Sequence, residues 1–222
     1  MPRRLLFHHV PKCGGTTINL WLERNYAPEV SFVTDGWTPN ESVDKFLEME
    51  EAERYSYELV TGHGTNRLLD STHKETLFAT TLREPIERVF SFYYFLRQNT
   101  MHSLSVEANN QPIESMSFFG LTNAMTSELA ICDASKYPKE ALRKAKARLL
   151  RYHFVGFQDE LWRFCKRLEV ACDMSISHDG RRENETRNKP GPQDLSPESV
   201  AKIQQMNQLD MELYNWACEV FR

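Results

Sequence analysis

Residues 5–22, Leu-Leu-Phe-His-His-Val-Pro-Lys-Cys-Gly-Gly-Thr-Thr-Ile-Asn-Leu-Trp-Leu, constrain this chain more than any other stretch, because they allow one local path. Residues 5–10 form a largely apolar run of strand length, Pro11 closes it, and Gly14-Gly15 let the backbone turn where a side chain would obstruct it. Ile18, Trp21 and Leu22 then recur at helical spacing. The stretch therefore reads as strand, tight loop, helix. A loop of this kind leaves backbone N–H groups at a helix N-terminus, where the dipole also favours an anion, so phosphate or sulfate is its natural guest. Lys12 adds a full charge, and Thr16 and Thr17 add hydroxyl donors.

The order of residues narrows the chemistry. A Walker A loop needs G-x-x-x-x-G-K-[ST], with lysine after the glycines; here Lys12 precedes Gly14 and Gly15. A cysteine phosphatase loop wants an arginine six positions after its cysteine, and Asn19 stands there after Cys13. Residues 9–17, His-Val-Pro-Lys-Cys-Gly-Gly-Thr-Thr, instead resemble the 5′-phosphosulfate loop of the carbohydrate and bacterial sulfotransferases. These enzymes move a sulfonate from 3′-phosphoadenosine 5′-phosphosulfate (PAPS) to a hydroxyl. The resemblance implies that Lys12, Cys13, Gly14, Gly15, Thr16 and Thr17 hold the 5′ end of PAPS and of its product PAP. An ordinary strand-to-helix turn with a solvated lysine is the competing reading.

Composition sets the outer bounds. A chain of 222 residues that is 41% hydrophobic is long enough to fill one core, and a single domain over residues 1–222 is the economical expectation. The 27 basic and 31 acidic residues give a net charge of −4, so no global basic field points to nucleic acid and any polyanion site must be local. Cys13, Cys132, Cys165, Cys172 and Cys218 are odd in number and lack C-x-x-C spacing, which argues against a disulfide framework or zinc cluster and for a reducing, cytoplasmic setting. No apolar run reaches the roughly 20 residues that span a bilayer, and no signal peptide is apparent, so no membrane span is expected. The sequons at Asn40 and Asn184 are read as chance.

Further along, residues 25–53 are polar and turn-rich and predict a loop followed by a short helix near 43–53. Residues 58–61 predict a second strand running into Gly62-His63-Gly64. The carboxyl ends of strands are where open α/β sheets bind ligands, and a histidine between glycines can approach a substrate closely as a general base. A water-exposed turn histidine is the alternative. The resemblance favours the first, since a Gly-His element after the second strand is similar to the catalytic-base position of hexuronyl 2-O-sulfotransferase-like enzymes.

Residues 77–82 predict a third strand, and Arg83-Glu84-Pro85 turns it into a helix with Ile86, Val89, Phe90, Tyr93, Tyr94 and Leu96 on its apolar face. Arg83 and Ser91, eight residues apart, resemble the sulfotransferase 3′-phosphate signature. Arginine offers the planar fork that suits phosphate. A surface Arg83–Glu87 pair with Ser91 as filler is the competing reading.

Residues 98–137 predict short helices at 113–120 and 123–131. Residues 138–152 predict a helix with Ala141, Leu142, Ala145 and Leu149 inward and a solvated basic face. Residues 153–157 predict a fourth strand, after which Asp159 is expected to cap an amphipathic helix. Residues 178–195 are polar and cationic; their place resembles the lid over the nucleotide in sulfotransferases, which implicates Arg187 and Lys189, although the usual R-K-G-x-x-G-x-W-K lid motif is absent. Ser196-Pro197 restarts a helix, and Leu209, Leu213, Trp216, Ala217 and Val220 are expected to pack at the end of the chain.

Strands alternating with helices predict an α/β fold around a mostly parallel sheet, with the loop motifs at one carboxyl edge. The resemblance implies a three-layer, P-loop-kinase-like sulfotransferase domain. It also implies PAPS as co-substrate, no metal, Lys12 stabilising the leaving phosphate, His63 taking the proton, and a hydroxyl-bearing acceptor, either a carbohydrate or a small-molecule alcohol. A nucleotide or small-molecule kinase and a catalytically silent nucleotide-binding module are the rival classes.

Overall fold

The computed structural model describes residues 3–116, 120–178 and 191–222. In chain order the strands are β1 (Leu5–His8), β2 (Ser31–Val33), β3 (Leu59–Gly62), β4 (Leu77–Leu82) and β5 (Phe154–Phe157). The helices are α1 (Gly15–Leu22), α2 (Pro39–Glu48), α3 (Glu51–Arg54), α4 (Pro85–Gln98), α5 (Ser105–Asn110), α6 (Ala124–Ala130), α7 (Pro138–Leu149), α8 (Leu161–Cys172), α9 (Pro197–Met206) and α10 (Gln208–Phe221). The chain forms two units, one from residues 3–82 and 147–178, the other from the remaining described residues.

The first unit holds a five-stranded sheet in the order β2-β3-β1-β4-β5, parallel throughout. It is an α/β architecture, as the alternation of elements predicts. β1 is central: Leu5 pairs with Leu59 on one side and Leu77 on the other, His8 with Gly62 and Thr80. All four β1 residues are buried, as a parallel strand covered on both faces requires. Leu5 and Phe7 share a core with Ile18, Trp21 and Leu22 of α1 and Phe164, Cys165 and Leu168 of α8. Each such apolar side chain contributes roughly 1.5–3 kcal/mol when fully buried. That burial holds the first turn of α1 at the carboxyl end of β1.

Four strands were predicted and a fifth is present. Ser31–Val33 lies inside the segment read as loop; it is a three-residue edge strand, too short to show alternation, and its Phe32 packs at 4.7 Å from Phe46 and 5.6 Å from Tyr57. The following helix begins at Pro39, earlier than expected. α8 starts after a 3-10 turn, Gln158–Glu160, so Glu160, one residue later than the expected Asp159, stands at its N-cap, and the Glu160 side chain makes no cap bond. The expected helix at 113–120 is a 3-10 turn over Ile113–Ser115, and residues 117–119 lie outside the described set. No disulfide joins any of the five cysteines.

In the second unit α4 buries Ile86, Val89, Phe90, Tyr93 and Leu96 against Ala108, Ile113, Leu121 and Ile203. Pro85 opens this helix, and the Glu84 carboxylate caps it by accepting the Glu87 N–H at 2.7 Å. The closing stripe differs from expectation: Leu213 and Ala217 are buried with Asp210 and Tyr214, whereas Val220 is 47% exposed. Asn207 and Asn123 cap each other's helices. The Asn207 Oδ1 accepts the Asn123 N–H at 2.9 Å, and the Asn123 Oδ1 accepts the N–H groups of Leu209 and Asp210 at 2.9 and 3.2 Å.

Asp210, fully buried, accepts from Met125 N (3.1 Å), Thr126 N (2.7 Å) and the Thr126 hydroxyl (2.7 Å), and faces the buried Arg88 with Nε at 4.0 Å. Arg88 also donates from Nη2 to the Gly120 carbonyl at 2.8 Å. Removing the carboxylate strands a buried cation together with two helix-start amides, so Asp210→Ala is predicted to cost roughly 3–5 kcal/mol. Denaturant unfolding of the variant checks this, and a loss under about 1 kcal/mol, the range of a surface pair, would show the network to be dispensable.

Candidate active site

β1 ends at His8, and the chain turns through His9, Val10, Pro11, Lys12 and Cys13 into α1. Lys12 has φ 66° and Gly14, the N-cap residue, φ 89°, so the loop makes two left-handed steps before the helix begins. Gly14, at the N-cap of α1, has no side chain to cap it, and the first turn of the helix carries no acidic residue. The amides of Gly15, Thr16 and Thr17 thus open the helix beside Lys12, an arrangement suited to an anion. Thr16 and Lys12 are partly exposed, while Thr17 is buried. Cys13 is buried too, its Sγ 3.7 Å from the Pro11 carbonyl.

β3 ends at Gly62, beside His8 in register, and His63 follows at once. Gly62 has φ 120°, and a Cβ there would fall 2.1 Å from Thr34 Oγ1. Only glycine serves. The Thr34 hydroxyl donates to the His63 carbonyl at 3.0 Å, and Thr65 donates to the Gly62 carbonyl at 3.0 Å, so the backbone around His63 is tied on both sides. The ring is fixed as well, because Nδ1 lies 2.7 Å from the carbonyl oxygen of His9. A carbonyl only accepts, so in the neutral ring Nδ1 carries the proton and Nε2 the lone pair. His63 is half-buried.

Two residues outside the predicted site, His9 and Asn19, complete this edge. His9 stacks on His63 with ring centroids 4.2 Å apart, and its ring lies so close to Gly15 that a Cβ there would sit 2.0 Å from its Cδ2. Burial first, then the charges of His63, His8 and Lys12, hold the His9 pKa well below the usual 6.5. Asn19 on α1 approaches His9 Nδ1 at 3.5 Å and accepts from the Thr61 hydroxyl at 2.8 Å. His8, fully buried on the other face of the strand, meets the Tyr152 hydroxyl at 3.1 Å and belongs to the core.

The other predicted residues come from other segments of the chain. Arg83 follows β4 and begins the second unit, where its Nη2 pairs with Glu87 Oε2 at 3.1 Å across one helical turn; its side chain is 13% exposed. Ser91, two turns along α4, is partly exposed. The competing ion pair is therefore present. Arg187 and Lys189, with Arg181 and Arg182, lie outside the described residues. The segment leading to them is anchored on α1: Trp21 Nε1 and Asn25 Nδ2 both donate to the Ile176 carbonyl, at 2.8 and 3.1 Å.

A family model described as the Sulfotransferase family matches residues 2–217, and the chain belongs to that family. It is 28% identical over 190 residues to heparan sulfate 2-O-sulfotransferase 1 of Xenopus laevis, covering 72% of this chain and 52% of the relative. The chain thus spans about half the length of that relative. A crystal structure of a sulfotransferase from Alicyclobacillus acidocaldarius aligns over 97% of this chain and 99% of its own, at 13% identity and a TM-score of 0.46. None of the described helices is long and apolar enough to cross a membrane.

The contact between Gly15 and His9 yields a stability prediction. Gly15→Ala forces a methyl into the imidazole and should cost about 1–3 kcal/mol, the usual penalty of overpacking. Gly36, whose added Cβ would meet nothing within 4 Å, is the control, and Gly36→Ala should change stability by under about 1 kcal/mol. Equal unfolding midpoints for the two variants would contradict the packing described.

Proposed function

We propose that the chain transfers sulfonate from PAPS to a hydroxyl, with His63 as general base and the Lys12–Thr17 loop as the 5′-phosphosulfate site. The observation that carries the reading is the His63–His9 hydrogen bond, which places the basic lone pair on Nε2 at the strand edge where the anion loop begins. The family match and the order of residues 9–17 support it.

In this reading the acceptor oxygen attacks sulfur in line as the bond from sulfur to the bridging phosphate oxygen breaks. The hydroxyl proton passes to His63 Nε2, and PAP leaves. Negative charge grows on the departing phosphate. Lys12 and the amides opening α1 would stabilise that charge, and preorganised donors of this sort usually supply the largest catalytic term. Arg83 and Ser91 would bind the 3′-phosphate that separates PAPS from ATP, and the guanidinium would share its donors between phosphate and Glu87. Arg187 and Lys189 are proposed as further nucleotide contacts. The reading calls on no metal. For the acceptor, a sugar hydroxyl is favoured by the heparan sulfate relative, and a small-molecule alcohol is the alternative. Residues 1–222 are taken as one sulfotransferase domain acting in the cytoplasm.

PAP should raise the melting temperature more than ADP does, with or without EDTA. Equal stabilisation, or a strict need for magnesium, would favour a kinase. Arg83→Ala removes a charged phosphate contact worth roughly 1.5–3 kcal/mol and should narrow the preference for PAP; an unchanged preference moves the 3′-phosphate site away from Arg83.

His63→Ala should cut turnover by ~10²–10⁴ and leave PAP affinity nearly intact, because proton removal belongs to the transition state. Lys12→Ala should weaken binding and turnover together, since its charge meets an anion already present in the ground state. Single-turnover assays paired with PAP calorimetry separate the two patterns. Turnover in His63→Ala above about a third of wild type would remove His63 from the mechanism.

A further inference from the structure

His9 touches the candidate site from both its backbone and its ring. Its N–H donates to the Gly62 carbonyl at 3.1 Å, and its own carbonyl accepts the His63 Nδ1 proton at 2.7 Å. Its ring stacks on the His63 ring at 4.2 Å with planes 32° apart. The same ring lies against the first residue of α1, where a Cβ on Gly15 would fall 2.0, 2.4 and 2.5 Å from Cδ2, Cγ and Nε2. One rigid imidazole thus contacts both His63 and the residue that opens the anion loop's helix.

We propose that His9 is a positioning residue that sets the spacing between the His63 ring and the loop ahead of α1. The inference rests on His63 being the base. In-line transfer needs the acceptor oxygen within hydrogen-bond reach of Nε2 and in line with a sulfur held by the loop, and a misplacement of about 1 Å can cost ~10²-fold in rate. Two contacts made by one flat side chain fix that spacing better than two independent ones. The charged and titratable groups facing His9 are Lys12 from the loop, His63 from the turn after β3, and His8 from its own strand; Asn19 from α1 is neutral. All three disfavour a proton on His9, and burial does so more strongly. A neutral His9 puts no second cation beside His63 when that ring takes the acceptor's proton.

The test compares wild type, His9→Ala, His9→Phe, His63→Ala and the His9→Ala/His63→Ala double variant, using PAPS with an N-sulfated heparosan hexasaccharide and measuring PAP affinity by calorimetry. His9→Ala should lower kcat by ~10²-fold with PAP affinity held within about threefold. His9→Phe, which restores a flat ring, should recover at least about tenfold of that loss. On the His63→Ala background His9→Ala should cost almost nothing, because a residue acting through the base has nothing left to position. Additive losses, or a fall in PAP affinity matching the fall in kcat, would overturn the proposal. If His63→Ala keeps wild-type turnover, the base assignment itself has failed; if it loses turnover and His9→Ala does not, only the positioning role has failed. NMR of the ring nitrogens in the PAP complex needs no acceptor and no His9→Ala protein. His63 should hold a single Nδ1-protonated tautomer in wild type and in His9→Phe, and a tautomer mixture in wild type overturns the proposal.

Discussion

The hydrogen bond from His63 Nδ1 to the His9 carbonyl joins the carboxyl ends of two neighbouring strands through a side chain. It extends the β1–β3 ladder one step past the last paired residues, and it decides which ring nitrogen is basic. Both effects depend on the parallel register, since only strands running the same way bring the residues after His8 and after Gly62 to one edge. Thr34 adds a third strand end to the same arrangement by donating from its hydroxyl to the His63 carbonyl. The geometry of the edge is thus a consequence of sheet order, with β2, β3 and β1 adjacent.

The loop after β1 is held from the other side by apolar burial. Ile18, Trp21 and Leu22 face Leu5 and Phe7, so α1 cannot rotate without exposing them. Its N-cap residue is a glycine with no capping side chain, unlike α4, which Glu84 caps, and α9, which Ser196 caps. A capping side chain at that position contributes about 1 kcal/mol. The core contacts of α1 exceed that several times over, at roughly 1.5–3 kcal/mol for each buried apolar side chain. A glycine N-cap beside Lys12 is therefore tolerated because packing elsewhere fixes the helix.

The elements that could be read in the sequence are those whose pattern is strong within a short window. β1, β3, β4 and β5 are apolar runs with turn residues behind them, and α4 shows a wide apolar stripe after a proline start. β2 left no such mark, because an edge strand of three residues has one inward side chain, Phe32, and one aromatic has no period. Glycines were informative where they were obligatory: Gly62 and Gly64 adopt φ of 120° and 73°, which is why glycines flank the histidine. The partners of His63 and His9 were not legible. Thr34, which bonds to His63, and Asn19, which approaches His9 and accepts from Thr61, are common residue types whose roles come from the sheet bringing distant segments together, and no local spacing encodes that. Arg88 illustrates the same limit: it is 1% exposed because Asp210 and the Gly120 carbonyl, both distant in sequence, receive it.

The net charge of −4 bears on how a polyanionic nucleotide could be bound at all. The chain as a whole repels such a ligand weakly, and repulsion between exposed charges fades beyond a Debye length of about 8 Å at physiological salt. In the proposed site attraction comes from groups within that distance, and the Lys12 ammonium and the amides that open α1 are the candidates among the described residues of the first unit. Amides at a helix start carry partial charges that are fixed in direction, so their contribution falls steeply as an anion moves off the axis. A site built this way selects by geometry more than by total charge. In it the two left-handed steps at Lys12 and Gly14 matter as much as the lysine itself, because they determine where those amides point.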